Sequence, residues 1–208
     1  MNRAVKTVAL VFGLFAGGAS IEHGIFEILQ GPVRPEGIMI ASMGLPCDPG
    51  LVWNACEPAM TIIPNFLISG ILSVVIGLIT LVWSLAFLNR KRGGVVLLGL
   101  SIIMLLVGGG IFPPLIGVVG GAVGTRINGQ LKPPGPAAGF FSALWPWTLI
   151  VFAVWLLAQW VVGYFFNDFL LNSIWGILLI PVFIISLIVF SPIAAFAYDK
   201  RNSGNSQT

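Results

Sequence analysis

The sequence AVKTVALVFGLFAGGASIEHGIFEILQ, residues Ala4–Gln30, decides the class of fold. At about 1.5 Å per residue, a helix over this apolar run is longer than the roughly 30 Å hydrocarbon core of a bilayer. Lys6, Glu22, His23 and Glu27 interrupt the run. Ionisable side chains within a membrane span usually face protein or water and often mark function. The run therefore predicts a first span that carries a candidate site.

One face of this predicted helix is small and polar. Residues at three- and four-residue steps share a helix face. The face, here called the polar stripe, consists of Gly13, Ala16, Gly17, Ser20, His23, Gly24, Glu27, Gln30 and Gly31. Small residues let a neighbouring helix approach closely, so we expect the stripe to face protein. His23 and Glu27 are four residues apart and are predicted to touch. Glu22 lies about 140° around the helix from Glu27 and needs a different partner.

Composition extends the membrane prediction to the whole chain. Of its 208 residues, 57% are hydrophobic and only 8% are charged, whereas a soluble domain carries about 25% charged residues. The apolar runs are continuous, unlike the alternating segments of a transmembrane barrel. The net charge of +3 comes from basic residues at span ends, which set orientation and are no nucleic-acid signature. The predicted fold is an all-α, polytopic helical membrane protein.

Four full transmembrane helices are predicted, over Ala4–Gln30, Ile62–Leu88, Phe141–Phe166 and Phe169–Tyr198. Asn167-Asp168 is predicted as the tight turn between the last two, with Asp168 as a helix cap. Together they make one transmembrane domain over residues 1–199, followed by a disordered polar tail over residues 200–208.

The start of the chain has a second interpretation. Arg3 and Lys6 before an apolar run, with Gly17–Ala19 behind it, also fit a cleaved signal peptide. The apolar run continues to Leu29, which makes it long enough to span the membrane. We therefore prefer a first helix that is retained.

Residues Gly94–Gly124 are the ambiguous segment. A single helix there would be too long, and the run GGGIFPP over Gly108–Pro114 should break it. The segment is predicted to form a hairpin of two short helices, either two short spans or a re-entrant loop, which gives six membrane segments. The alternative is one crossing and five spans.

Charge counting decides between the two, because cytoplasmic loops carry an excess of basic residues. With five spans, five basic residues lie inside (Arg3, Lys6, Arg90, Lys91, Arg92) and five outside (Arg34, Arg126, Lys132, Lys200, Arg201). With the hairpin, nine lie inside and only Arg34 lies outside. The count favours the hairpin, with both termini in the cytoplasm of a prokaryotic cell.

The loop over residues 31–61 is then extracytoplasmic. It contains five prolines and is acidic, with Glu36, Asp48 and Glu57 against Arg34. Cys47 and Cys56 are the only cysteines, and in an oxidising compartment they are predicted to form a disulfide. Their spacing matches neither a CxxC redox pair nor a zinc site.

The candidate site residues are Ser20, Glu22, His23, Glu27 and Gln30, in the outer half of the first span. Together with unwound backbone near Gly108–Pro114 they predict an outward-facing polar cavity, since broken helices coordinate ions and substrates in transporters. The best functional hypothesis is a small channel or transporter for an ion, a proton or a small solute. His23 and Glu27 would relay the proton.

Two alternatives stay open. One is a membrane-embedded enzyme or lipid-binding protein that uses Glu27 or His23 as acid or base. The other is an assembly protein in which these residues only hold helices together. The common hydrolase, metalloprotease and nucleotide motifs are missing, and a single histidine excludes a multi-histidine metal site. No metal or cofactor is predicted, although His23 with Glu22, Glu27, Glu57 or Asp168 could still form a carboxylate-rich metal site. The expected partners are the lipid bilayer and a second copy or another membrane subunit, with no nucleic acid.

Overall fold

The computed structural model describes residues 1–42, 53, 57–131 and 135–205. Within them the chain forms seven α-helices and one short β-ribbon. In order, these are α1 Arg3–Gln30, β1 Met39–Ala41, β2 Pro58–Met60, α2 Phe66–Val82, α3 Gly93–Leu106, α4 Phe112–Gly124, α5 Ala138–Ala143, α6 Trp147–Asn172 and α7 Ile180–Asn205. A π-helical turn extends α2 over Trp83–Phe87, and another, Trp175–Leu179, precedes α7.

Four helical stretches are long and apolar enough to cross a membrane, namely Arg3–Gln30, Phe66–Phe87, Trp147–Asn172 and Trp175–Ser203. The predicted all-helical architecture with four helices of membrane-spanning length is confirmed. Helices α3 and α4 are shorter, with 14 and 13 residues, or about 20 Å each.

The chain divides into two compact units. The N-terminal unit contains Ala9–Pro49 and Ala55–Thr125, and the C-terminal unit contains Arg126–Thr208 with Met1–Val8 and Gly50–Asn54. All the predicted site residues belong to the N-terminal unit.

Helices α1 and α2 pack through the small residues of their facing stripes. A Cβ atom placed on Gly24 would lie 2.6 Å from the Gly70 carbonyl oxygen, and one on Gly17 would lie 2.8 Å from that of Gly77. Between these contacts, the Ser20 hydroxyl donates to the Ser73 carbonyl at 3.0 Å, and Ser73 returns the bond to Ser20 at 3.1 Å. The polar stripe therefore faces protein, because only glycine and serine allow the two backbones this close approach.

Helices α3 and α4 fold back on each other as an antiparallel hairpin. Gly94, at the start of α3, contacts Gly124 and Thr125, at the end of α4. A Cβ on Gly121 would lie 2.5 Å from the Leu98 nitrogen. The hairpin also packs on α1, since a Cβ on Gly117 would lie 3.0 Å from that of Ala16. The Gly/Pro break therefore separates two helices, as predicted.

The loop over residues 31–61 contains a ribbon that the sequence did not predict. Strands β1 and β2 pair antiparallel, with Ile40 opposite Ala59. Next to this ribbon, Thr61 forms a bridge with Val107 of the α3–α4 connection. Cys47 and Cys56 lie outside the described residues, so their disulfide stays a prediction.

The C-terminal unit corrects two boundaries. Helix α6 continues through Asn167-Asp168 to Asn172 and is only kinked, at Phe166 (φ −119°, ψ 21°). The Asn167 side-chain oxygen accepts the Trp53 backbone N–H at 2.8 Å. Exposed Asp168 thus lies inside α6, and the predicted tight turn is wrong.

Helix α7 also runs further than predicted, through most of the expected disordered tail to Asn205. Its Asp199 carboxylate accepts the backbone N–H groups of Ala4 at 3.2 Å and Val5 at 3.0 Å. A carboxylate at a helix N-terminus satisfies free donors and complements the helix dipole. This contact stabilises the last turns of α7.

The α1–α2 packing predicts opposite effects for two glycine substitutions in α1. Gly24→Ala should destabilise the protein by about 1–3 kcal/mol, because the added methyl group meets the Gly70 and Val74 backbones and the stiff Val74 side chain. Gly18→Ala should be neutral or stabilising by up to about 1 kcal/mol, since nothing lies within 4 Å of its Cβ position. Thermal unfolding in detergent, followed by circular dichroism, measures both. Equal midpoints for the two variants would contradict this packing.

Candidate functional site

Three consecutive glycines at the α3–α4 connection lie directly on the polar stripe of α1. A Cβ on Gly108 would be 2.7 Å from the Glu27 carboxyl carbon, and one on Gly109 would be 2.6 Å from the Ser20 hydroxyl. A Cβ on Gly110 would be 2.8 Å from His23 Nε2. We call Gly108–Gly110 the glycine tip. Each of its residues covers one polar side chain of α1, and no other residue type leaves room for this contact.

The backbone of the glycine tip also needs glycine. Gly108 and Gly110 have φ values of +99° and +86°, a region that residues with a Cβ rarely adopt. The tip is held from the ribbon side, where the Gly108 N–H donates to the Met60 carbonyl at 2.9 Å. Val107 and all three glycines are buried. Irregular backbone at membrane depth is tolerated where protein covers it in this way.

Glu27 is the most unusual group beneath the tip. Its side chain is 0% exposed, and among the described residues neither carboxyl oxygen has a hydrogen-bond partner. The Ser69 hydroxyl is near enough to interact with the Glu27 carboxyl group, but it meets no hydrogen-bond geometry with it, and its oxygen is 2.8 Å from both the Val107 carbonyl and the Thr61 hydroxyl. An unpaired buried carboxylate is costly. A protonated, neutral carboxyl group or a bound cation would remove this cost at Glu27.

His23 has two partners, and neither is Glu27. The buried imidazole is hydrogen-bonded through Nδ1 to the Ser42 hydroxyl and through Nε2 to the Glu57 carboxylate at 3.2 Å. The predicted His23–Glu27 pair is wrong, because the ribbon brings Ser42 and Glu57 over the imidazole. Glu57 has a side chain that is 33% exposed, so it connects the buried imidazole to the surface.

The remaining predicted residues have more modest environments. Ser20 is engaged with Ser73, as described above. Gln30 donates to the Ser42 carbonyl at 2.7 Å, which ties the end of α1 to the ribbon. Glu22 is half-buried and lies within electrostatic reach of His23 and Glu57, away from Glu27, in agreement with its helical position.

Little in the sequence points to Ser42, Ser69 or Thr61, and Glu57 enters there only as a carboxylate that could join His23 in a metal site. Ser69 belongs to the small-residue stripe of α2, where packing explained it. The other three lie in or beside the ribbon, which has no distinctive pattern of its own. Among the described residues, no three His, Cys, Asp or Glu side chains come together as a metal site.

Comparisons with known proteins add no assignment: no family model, curated protein or solved structure matches this chain. The functional argument therefore depends on the site geometry.

Because Gly108 and Glu27 are in contact, the stability effects of substitutions at the two positions should not be additive. Gly108→Ala should destabilise the protein both through its positive φ, at about 1–2 kcal/mol, and through the clash with the carboxyl group. In a Glu27→Ala background the clash disappears, so the cost of Gly108→Ala should fall by about 0.5–3 kcal/mol. Denaturant unfolding of the four proteins of this cycle gives the coupling energy.

Gly31→Ala is the matched control, because Gly31 has φ +77° and no atom within 4 Å of its Cβ position. Its cost should be the same with and without Glu27. If Gly108→Ala lowers the free energy of unfolding by the same amount with and without Glu27, the contact between Gly108 and Glu27 is contradicted.

Proposed function

We propose that this chain is a multi-pass membrane protein in which Glu27 carries a proton in transport across or into the membrane. The observation behind the proposal is that both Glu27 oxygens are fully buried and have no hydrogen-bond partner within the residues that the structure describes. A buried carboxyl group in this state is stable when neutral, and a protonated carboxyl is neutral.

A proton fits this site better than a metal cation does. Hard cations such as Ca²⁺ and Mg²⁺ take about six to eight oxygen ligands. The hydroxyls of Ser69 and Thr61 are already engaged with each other, and Ser69 also with the Val107 carbonyl. A proton needs only one carboxyl oxygen, so it can be bound without breaking this network.

His23 and Glu57 provide a route from outside the protein to this site. Glu57 is partly exposed, and its carboxylate lies 3.2 Å from Nε2 of buried His23. Imidazole can take up a proton at one nitrogen and release one from the other. His23 and Glu27 are one helical turn apart, so a side-chain rotation or one bridging water completes the route.

Contacts within the C-terminal unit support the hairpin topology. The Asn2 side chain donates to the Arg126 carbonyl at 2.7 Å. The segment from Asn2 to Arg126 therefore begins and ends on the same side of the proposed membrane. Helices α1 and α2 supply two crossings, which leaves an even number for α3 and α4. Asp199 beside Ala4 brings the end of α7 to that level too. The positive-inside rule assigns it to the cytoplasm.

A membrane-embedded enzyme is the second candidate. The observation in its favour is the order Ser42, His23, Glu57, which resembles a nucleophile, a base and an orienting carboxylate. Ser42 is 0% exposed, which favours a structural bond. Labelling of Ser42 by an organophosphorus probe would favour the enzyme.

Proton flux through the purified protein tests the role of Glu27. In vesicles containing a pH-sensitive dye, with a potassium diffusion potential, wild-type protein should acidify the lumen faster than empty vesicles do. Glu27→Gln keeps the shape of the neutral acid but cannot exchange a proton, so its rate should equal that of empty vesicles. Asp168→Asn changes an exposed carboxylate of α6 and should behave as wild type.

Carbodiimide labelling separates binding from access, because these reagents modify protonated buried carboxyl groups. Glu27 should be labelled both in the wild type and in His23→Ala. Proton flux should be lower in His23→Ala than in the wild type, because protons reach Glu27 more slowly without the imidazole. Wild-type flux in Glu27→Gln, or no flux in the wild type, would overturn the proposal. Unfolding of Glu27→Gln without any measurable activity would favour the assembly role.

Cysteine accessibility tests the topology. In a Cys47→Ser, Cys56→Ser background, a membrane-impermeant maleimide should label Arg34→Cys on intact cells. Arg126→Cys and Lys200→Cys should react only after the cells are permeabilised. Labelling of both from outside would contradict the hairpin and support five spans.

A further inference from the structure

A cavity separate from the Glu27 site opens where α1 ends and α2 begins. It has a volume of about 480 Å³ and lies between the last residue of α1, the following segment up to Ala41, and Phe66 at the start of α2. This volume is within the range of about 300–1,000 Å³ that small-molecule sites occupy. The cavity is therefore large enough for a lipid headgroup and the apolar atoms next to it.

The cavity is lined by both apolar and charged side chains. Val33, Met39 and Phe66 contribute apolar surface, while Arg34 and Glu36 contribute opposite charges. Among the described residues, neither charge takes part in a salt bridge, with the other or with a third group. The cavity thus offers one unpaired cation and one unpaired anion beside apolar side chains.

The position of the cavity limits what can reach it. Helices α1 and α2 are both of membrane-spanning length, and the cavity lies at the ends that the ribbon segment connects. In a bilayer these ends are at the level of the lipid headgroups. Phospholipids are the most abundant molecules there that combine apolar and charged parts.

We propose that this cavity binds a zwitterionic phospholipid with a primary amine, phosphatidylethanolamine. The Arg34 guanidinium matches the phosphate, which it can bind with two parallel N–H···O bonds. The Glu36 carboxylate accepts hydrogen bonds from the ammonium group. Val33, Met39 and Phe66 contact the glycerol and the first acyl carbons.

This assignment separates phosphatidylethanolamine from its two common relatives. Phosphatidylcholine has a quaternary ammonium group with no N–H to donate to Glu36, and a single Phe66 is no aromatic cage for it. Phosphatidylglycerol has the phosphate without the cation, so Glu36 is left unpaired beside an anionic lipid.

Native mass spectrometry of the purified protein tests the proposal after incubation with an equimolar mixture of the three lipids. Phosphatidylethanolamine should be retained about tenfold over the other two, the order expected for one charge-assisted hydrogen bond. Glu36→Gln should abolish this preference while phospholipid still binds. Arg34→Gln should lower retention of all three lipids.

Arg90→Gln and Asp168→Asn are the matched controls, since both change exposed charges outside the cavity. They should keep the wild-type preference, which distinguishes the cavity from lipid bound elsewhere on the surface. Thermal midpoints of all four variants should equal that of the wild type, because all four side chains are exposed.

Three results would overturn the proposal. One is equal retention of phosphatidylcholine and phosphatidylethanolamine by the wild type. Another is wild-type preference in both Arg34→Gln and Glu36→Gln. The third is displacement of the lipid by an equimolar amount of soluble phosphoethanolamine, which would show that the apolar wall adds nothing.

Discussion

The contact between Gly108 and the buried carboxyl group of Glu27 is the constraint on which the N-terminal unit depends. A carboxyl group that is fully buried and has no hydrogen-bond partner in the described part of the chain is tolerated only where the surrounding structure holds it. The glycine tip covers it from above, and the tip is held by the Gly108–Met60 hydrogen bond. Removal of any of these parts would give Glu27 water or a new partner.

Small residues allow α2 and the α3–α4 hairpin to approach α1 closely around Glu27. The α1–α2 contact needs Gly17, Gly24 and their partners, and the hairpin needs Gly94, Gly117 and Gly121 to fold back on itself and on α1. The buried polar groups of the site are close because the backbones are close. Packing through small residues and the chemistry of the site therefore have one structural cause.

The accuracy of the sequence-based predictions follows from the distance over which each signal acts. Helical periodicity is local, so it grouped Ser20, His23 and Glu27 on one face and separated Glu22 from them. The partner of His23 was wrong because Glu57 lies 34 residues away in a ribbon with no recognisable strand pattern. The end of α7 was wrong for a similar reason, since its stabilising contact joins Asp199 to Ala4.

The sequence by itself determined the all-helical class, the four apolar helices of membrane-spanning length, the break at Gly108–Pro114 and the face of α1 that carries the polar groups. These features follow from composition and from residue spacing within single helices. Only the tertiary structure decided that the glycine tip lies on that face, that Glu27 has no hydrogen-bond partner among the described residues, and that His23 is bonded to Ser42 and Glu57. Each of these depends on backbone approach between segments distant in sequence, which no local pattern records.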